Sequence, residues 1–370
     1  MTPYYCIFSI LALASLSEVI NVNKKGRIVI LFLLFIALVI FAGCRYQIGA
    51  QDFEEYTKSY ADVVKNGINY GKYTTSASLF EPGFICLYYL CSLFSSSPVW
   101  AMLIVALVAV GINVSCYKEY SPKFFLFATL FYFIHTYILR DMSLIRSGIA
   151  AAIVLYSLRY VGQRKLKWFL LTIIIAMSFH LASIIFIIVY PFYAMNLSKR
   201  SMIRMVIVSL LISYVFSAGM LLNALPKVGI FSRVSNYSWM IGSSKLGVLT
   251  NPTVLKQLFF VVISLVYYDR IKEHCPNFRL LLVPYLLSVC WLMVWNDFAI
   301  VAARMATFLS VTEVIIIPTT LILFKKHSRQ IAGTVLIALA FIILYWNGNY
   351  YLTDVPGLLP YRFTPLETLI

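Results

Sequence analysis

Residues 138–160 read ILRDMSLIRSGIAAAIVLYSLRY, and the apolar run that follows them ends in Ser178, Phe179 and His180. Arg140, Asp141, Arg146 and His180 therefore stand at the ends of long apolar segments, where an ionisable side chain is costly to keep unless it has a task. The alternatives are structural: Arg140 and Asp141 as a solvated interfacial pair, Arg146 with its stem along the apolar surface and its head in water, and His180 as a hydrogen-bonded core histidine.

The rest of the chain repeats that apolar character. Of 370 residues 61% are hydrophobic and 12% charged, with a mean hydropathy of +0.87. Soluble domains hold about 45–50% apolar residues, so this composition excludes them and specifies an all-α polytopic membrane protein. The first twenty residues lack a basic start, and Glu18 stands where a small-residue cleavage site would fall, so they are expected to remain as a span. Seven scattered cysteines form no CxxC pair, and neither a disulfide framework nor a metal site is expected.

Apolar segments run at 2–21, 28–43, 98–116, 123–139, 144–161, 166–195, 203–222, 254–268, 279–295, 301–324 and 331–346. The short connections between them hold Lys24, Lys25, Arg27, Lys118, Lys123, Arg159, Arg164, Lys165, Lys167, Lys199, Arg200, Arg204, Arg270, Lys272, Arg279, Lys325, Lys326 and Arg329. By the positive-inside rule these face the cytoplasm. The net charge of +16 is thus read as orientation, and no nucleic-acid partner is expected.

Two decisions follow. Residues 82–96, PGFICLYYLCSLFSS, are expected to form an interfacial or re-entrant helix, because counting them as a span would turn Arg164, Lys165 and Lys167 outward. The run 166–195 would reach about 45 Å as one helix, against a hydrocarbon core of about 30 Å. A break near His180, giving a helical hairpin, repairs the mismatch and keeps Lys199, Arg200 and Arg204 inside. The expectation is a single membrane domain, 1–370, of about twelve spanning helices with both termini outside. Long outer segments lie at 44–97 and 223–253, and an outer tail at 347–370.

Under this topology Arg45, Asp52, Glu81, Arg140, Asp141, Arg146, His180, Arg233, Asp297 and Arg304 all fall on the outer side. Arginine there suits phosphate, since its planar fork donates to two oxygens and keeps its charge in a dry site. Asp297 precedes Arg304 by seven residues, which suggests an N-cap with an arginine about 10 Å deeper on the same face. Tyr46, Tyr56, Tyr60, Tyr70, Tyr73, Tyr237 and Trp239 lie in outer loops, where belts and loop packing compete with stacking on sugar rings. No Walker loop, HExxH or GxSxG is present in the sequence.

The ordered set RYQIGAQDFEEY, EPGF, SLIRSGIAAAI, FLLTIIIAMSFHLAS, DFAIVAARMATFL and LLPYRF resembles the EpsG-like, Wzy-type polysaccharide polymerases over nearly the whole chain. The family reads R-x-G-x-D-Y near residue 45, whereas here Gln51 precedes Asp52 and Phe53 follows it. The resemblance implies a bacterial inner-membrane glycosyltransferase of GT-C-like architecture with its active site facing the periplasm. Such an enzyme moves the growing glycan from undecaprenyl pyrophosphate to the non-reducing end of a new lipid-linked repeat unit. It would have membrane lipid and a chain-length regulator protein as partners and no cofactor. Arg45, Arg140, Arg146 and Arg304 become candidates for the pyrophosphate. Asp52, Glu81 and His180 are candidates for the base or for positioning the acceptor, and Arg233, Tyr237 and Asp297 for loop contacts. An O-antigen ligase or a lipid-linked oligosaccharide flippase would share much of this pattern.

Overall fold

A computed structural model describes residues 1–20, 22–48, 51–217, 247–353 and 360–364. Among the described residues the chain is helical, and its β pairing is an isolated bridge between Arg45 and Phe363. Five described helices are long and apolar enough to cross a membrane: Thr2–Val19, Lys24–Gly43, Pro98–Tyr120, Ala299–Leu323 and Lys326–Gly348. With the shorter apolar helices, they make this a multi-pass membrane protein. Two compact units are formed, one of residues 1–157, 171–181 and 324–370, the other of 158–170 and 182–323.

In the first unit α1 (Thr2–Val19), α2 (Lys24–Gly43) and α5 (Pro98–Tyr120) carry the apolar bulk. Gly43 lets α2 cross α5 closely, because a Cβ there would lie 2.8 Å from the Leu103 Cα. Glu18, buried in α1, accepts from the backbone N–H groups of Leu126 (3.0 Å) and Phe127 (3.1 Å) and so closes the start of α6 (Phe125–Tyr132). The first N–H groups of a helix lack intrahelical partners, and this carboxylate supplies them inside an apolar layer. From Tyr132 the chain continues as a π-helix, Phe133–Asp141, a widened form that often marks functional positions. It ends on Arg140 and Asp141, one turn before α7 (Ile145–Gly162).

The segment 44–97 folds as α3 (Gln51–Asn66), two short turns and α4 (Pro82–Ser92). Asp62 organises the turns by accepting from the N–H groups of Thr74 (3.0 Å) and Thr75 (2.9 Å) and from the Thr75 hydroxyl (2.6 Å). Pro82 starts α4, where its missing N–H costs nothing. Its eleven residues reach about 16 Å, roughly half a hydrocarbon core.

The apolar run after Lys165 breaks where the ionisable residue stands. Helix α8 (Leu166–Met177) closes through the His180 N–H to the Ala176 carbonyl (3.0 Å), and a 3-10 segment, Leu181–Ile188, leads into α9 (Val189–Ala194). The limbs run antiparallel: Arg164 donates to the Ala194 carbonyl (3.2 Å) and Asn196 (2.9 Å), and Phe169 meets Tyr190 at 5.4 Å.

In the second unit α10 (Lys199–Val215), α11 (Pro252–Val266), α12 (Tyr268–His274), α13 (Phe278–Val294) and α14 (Ala299–Leu309) surround a core centred on α13. A 3-10 turn leads from α14 into α15 (Glu313–Thr319). Glu313 there pairs with Lys256 at 2.6 Å and accepts from Gln257 at 3.3 Å, joining it to α11.

Helix α16 (Lys326–Thr353) continues seven residues into the segment 347–370. Asn347 and Gly348 resemble a helix stop in sequence, yet Asn347 donates to the Ile134 carbonyl (3.2 Å) and Gly348 admits the Met1 side chain. These are packing positions, and they do not break the helix. Asp297 does not cap α14: the cap position is Phe298, whose carbonyl accepts from Val301 (3.1 Å) and Ala302 (3.0 Å). The preceding turn is closed by the Phe298 N–H to the Trp295 carbonyl (3.0 Å), which leaves Asp297 one residue outside the helix and buried.

Candidate active site

Arg146, in the first turn of α7, is the centre of a cluster in the first unit. Its Nη1 donates to Glu81 Oε2 at 2.6 Å, its guanidinium lies over the Phe80 ring at 4.2 Å, and it bonds the Tyr56 hydroxyl. The Nε is buried without an acceptor among the described residues, so the fork has not spent all of its donors on them. The second oxygen of Glu81 accepts from the Leu181 N–H at 3.2 Å, at the hairpin apex beside His180. One carboxylate thus ties the start of α4 to α7 and to the apex. A backbone bond from the Gly83 N–H to the Ser178 carbonyl (2.8 Å) reinforces the junction. Position 83 has to be glycine for this, since a Cβ would come within 2.2 Å of Ser178 Oγ and 2.8 Å of its carbonyl oxygen.

Asp52, near the start of α3, is half-buried, accepts from the Ser143 hydroxyl and lies within electrostatic reach of Arg146. Burial pushes its carboxyl above the ordinary aspartate value despite the opposing influence of Arg146 and Ser143. A carboxylate raised in this way is a stronger base than one in open water.

Three further ionisable residues of this unit are buried. Asp141 accepts from the Tyr132 hydroxyl at 2.8 Å, and Gly148 gives α7 room beside it, because a Cβ there would fall 2.7 Å from Asp141 Oδ1. Arg140, also buried, lies within electrostatic reach of Asp141. Arg45, 1% exposed, donates Nη1 to the Ala42 carbonyl, while its Nε and Nη2 have no acceptor among the described residues. Tyr56 and Tyr88 lie within electrostatic reach of both Arg45 and Arg146, which connects the two arginines through a tyrosine wall.

Arg45, Asp52, Glu81, Arg140, Arg146 and His180 therefore all belong to the first unit. Arg304 and Asp297 belong to the second. Arg304 sits at an exposed position of α14, and Asp297, expected as a loop contact, is buried. Arg233 and Tyr237 lie outside the described residues. Sequence reasoning did not pick out Phe80, Ser143 and Ser178, and it placed Tyr56 among loop aromatics, whereas it is buried against Arg146. Phe80 had a signal, since it precedes Glu81 directly in LFEPGF.

The EpsG family matches this chain over residues 28–363, which takes in most of α2, all of α3, α4, the π-helix and the hairpin, and the 360–363 segment. The chain belongs to the EpsG family. It is also similar to the amylovoran biosynthesis protein AmsC of Erwinia amylovora, with 23% identity over 97% of this chain and 96% of the relative. No solved structure matches it. In this EpsG-family chain the arginine, carboxylate and hairpin apex are drawn from widely separated parts of the matched span, and they meet at Glu81.

Proposed function

We propose that this protein is a polysaccharide polymerase of the O-antigen type in the bacterial inner membrane. It would have about twelve spanning helices, a GT-C-like architecture and an active site facing the periplasm. The observation that carries this reading is the Arg146–Glu81–Leu181 junction in a chain matching the EpsG family almost end to end. A cation with an unspent donor, a nearby carboxylate of raised basicity and a histidine at a helical break are the groups a sugar transfer from pyrophosphate requires.

The reaction is a displacement at the anomeric carbon that joins the growing glycan to undecaprenyl pyrophosphate. A hydroxyl of the non-reducing sugar of a new lipid-linked repeat unit attacks this carbon. The bond to the pyrophosphate oxygen breaks, and the pyrophosphate leaves with the electron pair. Arg146 stabilises that charge, with Arg45 and Arg140 as further cations. The hydroxyl proton passes to Asp52 or His180. Glu81 is a positioning residue, since its two oxygens are engaged by Arg146 and the apex. With arginines meeting the leaving charge, the chemistry needs no metal.

The deciding experiment is a gel of surface polysaccharide from a strain lacking the gene. Core capped with one repeat unit is the expected result. Polymer left on the lipid carrier would instead identify a ligase, absence of both products a flippase, and unchanged long chains would end the polymerase reading.

A further inference from the structure

Residues 361–364, YRFT, lie as a strap across the C-terminal end of α2. The Tyr46 N–H donates to the Arg362 carbonyl (2.9 Å) and the Thr364 N–H to the Cys44 carbonyl (2.8 Å), which pairs Arg45 with Phe363. The Thr364 hydroxyl donates to the carbonyls of Cys44 (2.8 Å) and Arg45 (3.2 Å). The Tyr361 ring is stacked on Phe41 at 4.1 Å, and its hydroxyl bonds the Phe41 carbonyl at 3.0 Å.

The Arg45 guanidinium is buried beside this pairing, with Tyr56, Tyr88, Tyr137, Tyr361 and Asp141 within electrostatic reach. Three of these hydroxyls donate elsewhere: Tyr88 to the Tyr56 carbonyl (3.4 Å), Tyr137 to the Leu38 carbonyl, and Tyr361 as above. Asp141 offsets part of the desolvation of this arginine, but two of its nitrogens lack acceptors among the described residues, and a phosphate oxygen bonded through both would satisfy them. Phe363 of the strap is 52% exposed, and beyond Tyr361 the strap is fastened, among the described residues, by the backbone and hydroxyl bonds above and by Arg362 to Gln47 (2.8 Å).

We propose that residues 361–364 are a lid on an anion subsite at Arg45, and that lifting the strap frees Nε and Nη2 to take a phosphate oxygen. The inference rests on the reading of the chain as a transferase of pyrophosphate-linked lipid, and adds that one of its cations is reached only after the strap moves. The ligand class is a pyrophosphate, either free or as the head group of a polyprenyl lipid.

Thr364→Cys tests this with one substitution, because Cys44 lies opposite in the pairing. Facing residues of an antiparallel pair are about 5.5 Å apart at Cα, within disulfide reach. Purified protein in nanodiscs is titrated with polyprenyl pyrophosphate and, separately, with inorganic pyrophosphate. The wild type and reduced Thr364→Cys should bind, and the oxidised form should bind at least tenfold more weakly, with recovery on adding reductant. Cys44→Ala/Thr364→Cys should ignore oxidation. Thr364→Val, which removes two strap bonds without a crosslink, should bind more tightly than wild type. Stronger binding of the lipid form assigns the polyprenyl substrate as the occupant, and equal binding of both assigns the pyrophosphate group alone. Undiminished binding by the oxidised form, in protein that still extends chains, overturns the lid and leaves the transferase reading standing. No binding and no extension by any form removes that reading and the lid with it.

Discussion

Replacing Arg146 with lysine keeps the charge and removes the fork. In the structure the guanidinium serves three groups at once: Glu81 at 2.6 Å, the Phe80 ring at 4.2 Å and the Tyr56 hydroxyl. An ammonium can hold Glu81 but cannot also lie flat on the ring and reach a phosphate oxygen. A hydrogen bond to a charged group contributes about 1.5–3 kcal/mol, and an exposed cation–aromatic contact about 0.5–1 kcal/mol. The Arg146 side chain is 25% exposed, which argues for the lower part of that sum, about 2–3 kcal/mol. At about 1.4 kcal/mol per decade, Arg146→Lys should slow chain extension about 30- to 150-fold. Because lysine still pairs with Glu81, membrane yield should match wild type and the melting temperature should fall by only a few degrees. The assay is extension of lipid-linked repeat units by purified protein, with a chelator present and product length read on a gel. A variant that folds normally and works within threefold of wild type would refute the clamp. Loss of wild-type activity on adding chelator would refute the metal-free chemistry.

Further expectations concern the residues around the clamp. If Asp52 is the base, the rate should fall as pH drops through its pKa, at a pH above the ordinary aspartate value because that pKa is raised; Asp52→Asn should abolish extension. If His180 is the base, His180→Gln should be nearly inactive, whereas appreciable extension would assign it to positioning, since glutamine still donates a hydrogen bond. Gly83→Ala should force the hairpin apex away from α4, with weaker extension and a lower melting temperature, and Ser178→Ala should not rescue it because the Ser178 Cβ and carbonyl oxygen also lie within 2.8 Å. Burial opposes ionisation of Asp62, but the bonds from Thr75 and Thr74 prevail and hold its carboxyl below the ordinary value. Its stabilisation of the 67–79 turns is therefore present at neutral pH and lost as pH falls through that depressed value. Protease resistance of the segment should drop only in strong acid, and Asp62→Asn should be sensitive already at pH 7.

Much of this was legible in one dimension. Hydropathy and the placement of lysine and arginine set the membrane class and the order of apolar segments, because burial in lipid acts on each segment according to its own composition. The break near His180 was legible too, since thirty apolar residues exceed the membrane and an ionisable residue sits where they must turn. Contacts between distant segments were not. Glu81 meets Arg146 across 65 residues and Leu181 across 100, and nothing local to any of them states that α4, α7 and the hairpin apex converge. Glu81 appeared as one carboxylate among several, and only its two partners mark it as the junction. The Asp297 expectation failed for the same reason, because a one-residue shift in the start of a helix is decided by the turn before it. The strap over Arg45 depends on residues more than 300 positions apart, so only the folded chain could show that this arginine is enclosed. Composition determined where each segment can reside, and tertiary packing decided which charges meet, because a hydrogen bond requires two groups within about 3 Å whatever their separation in the chain.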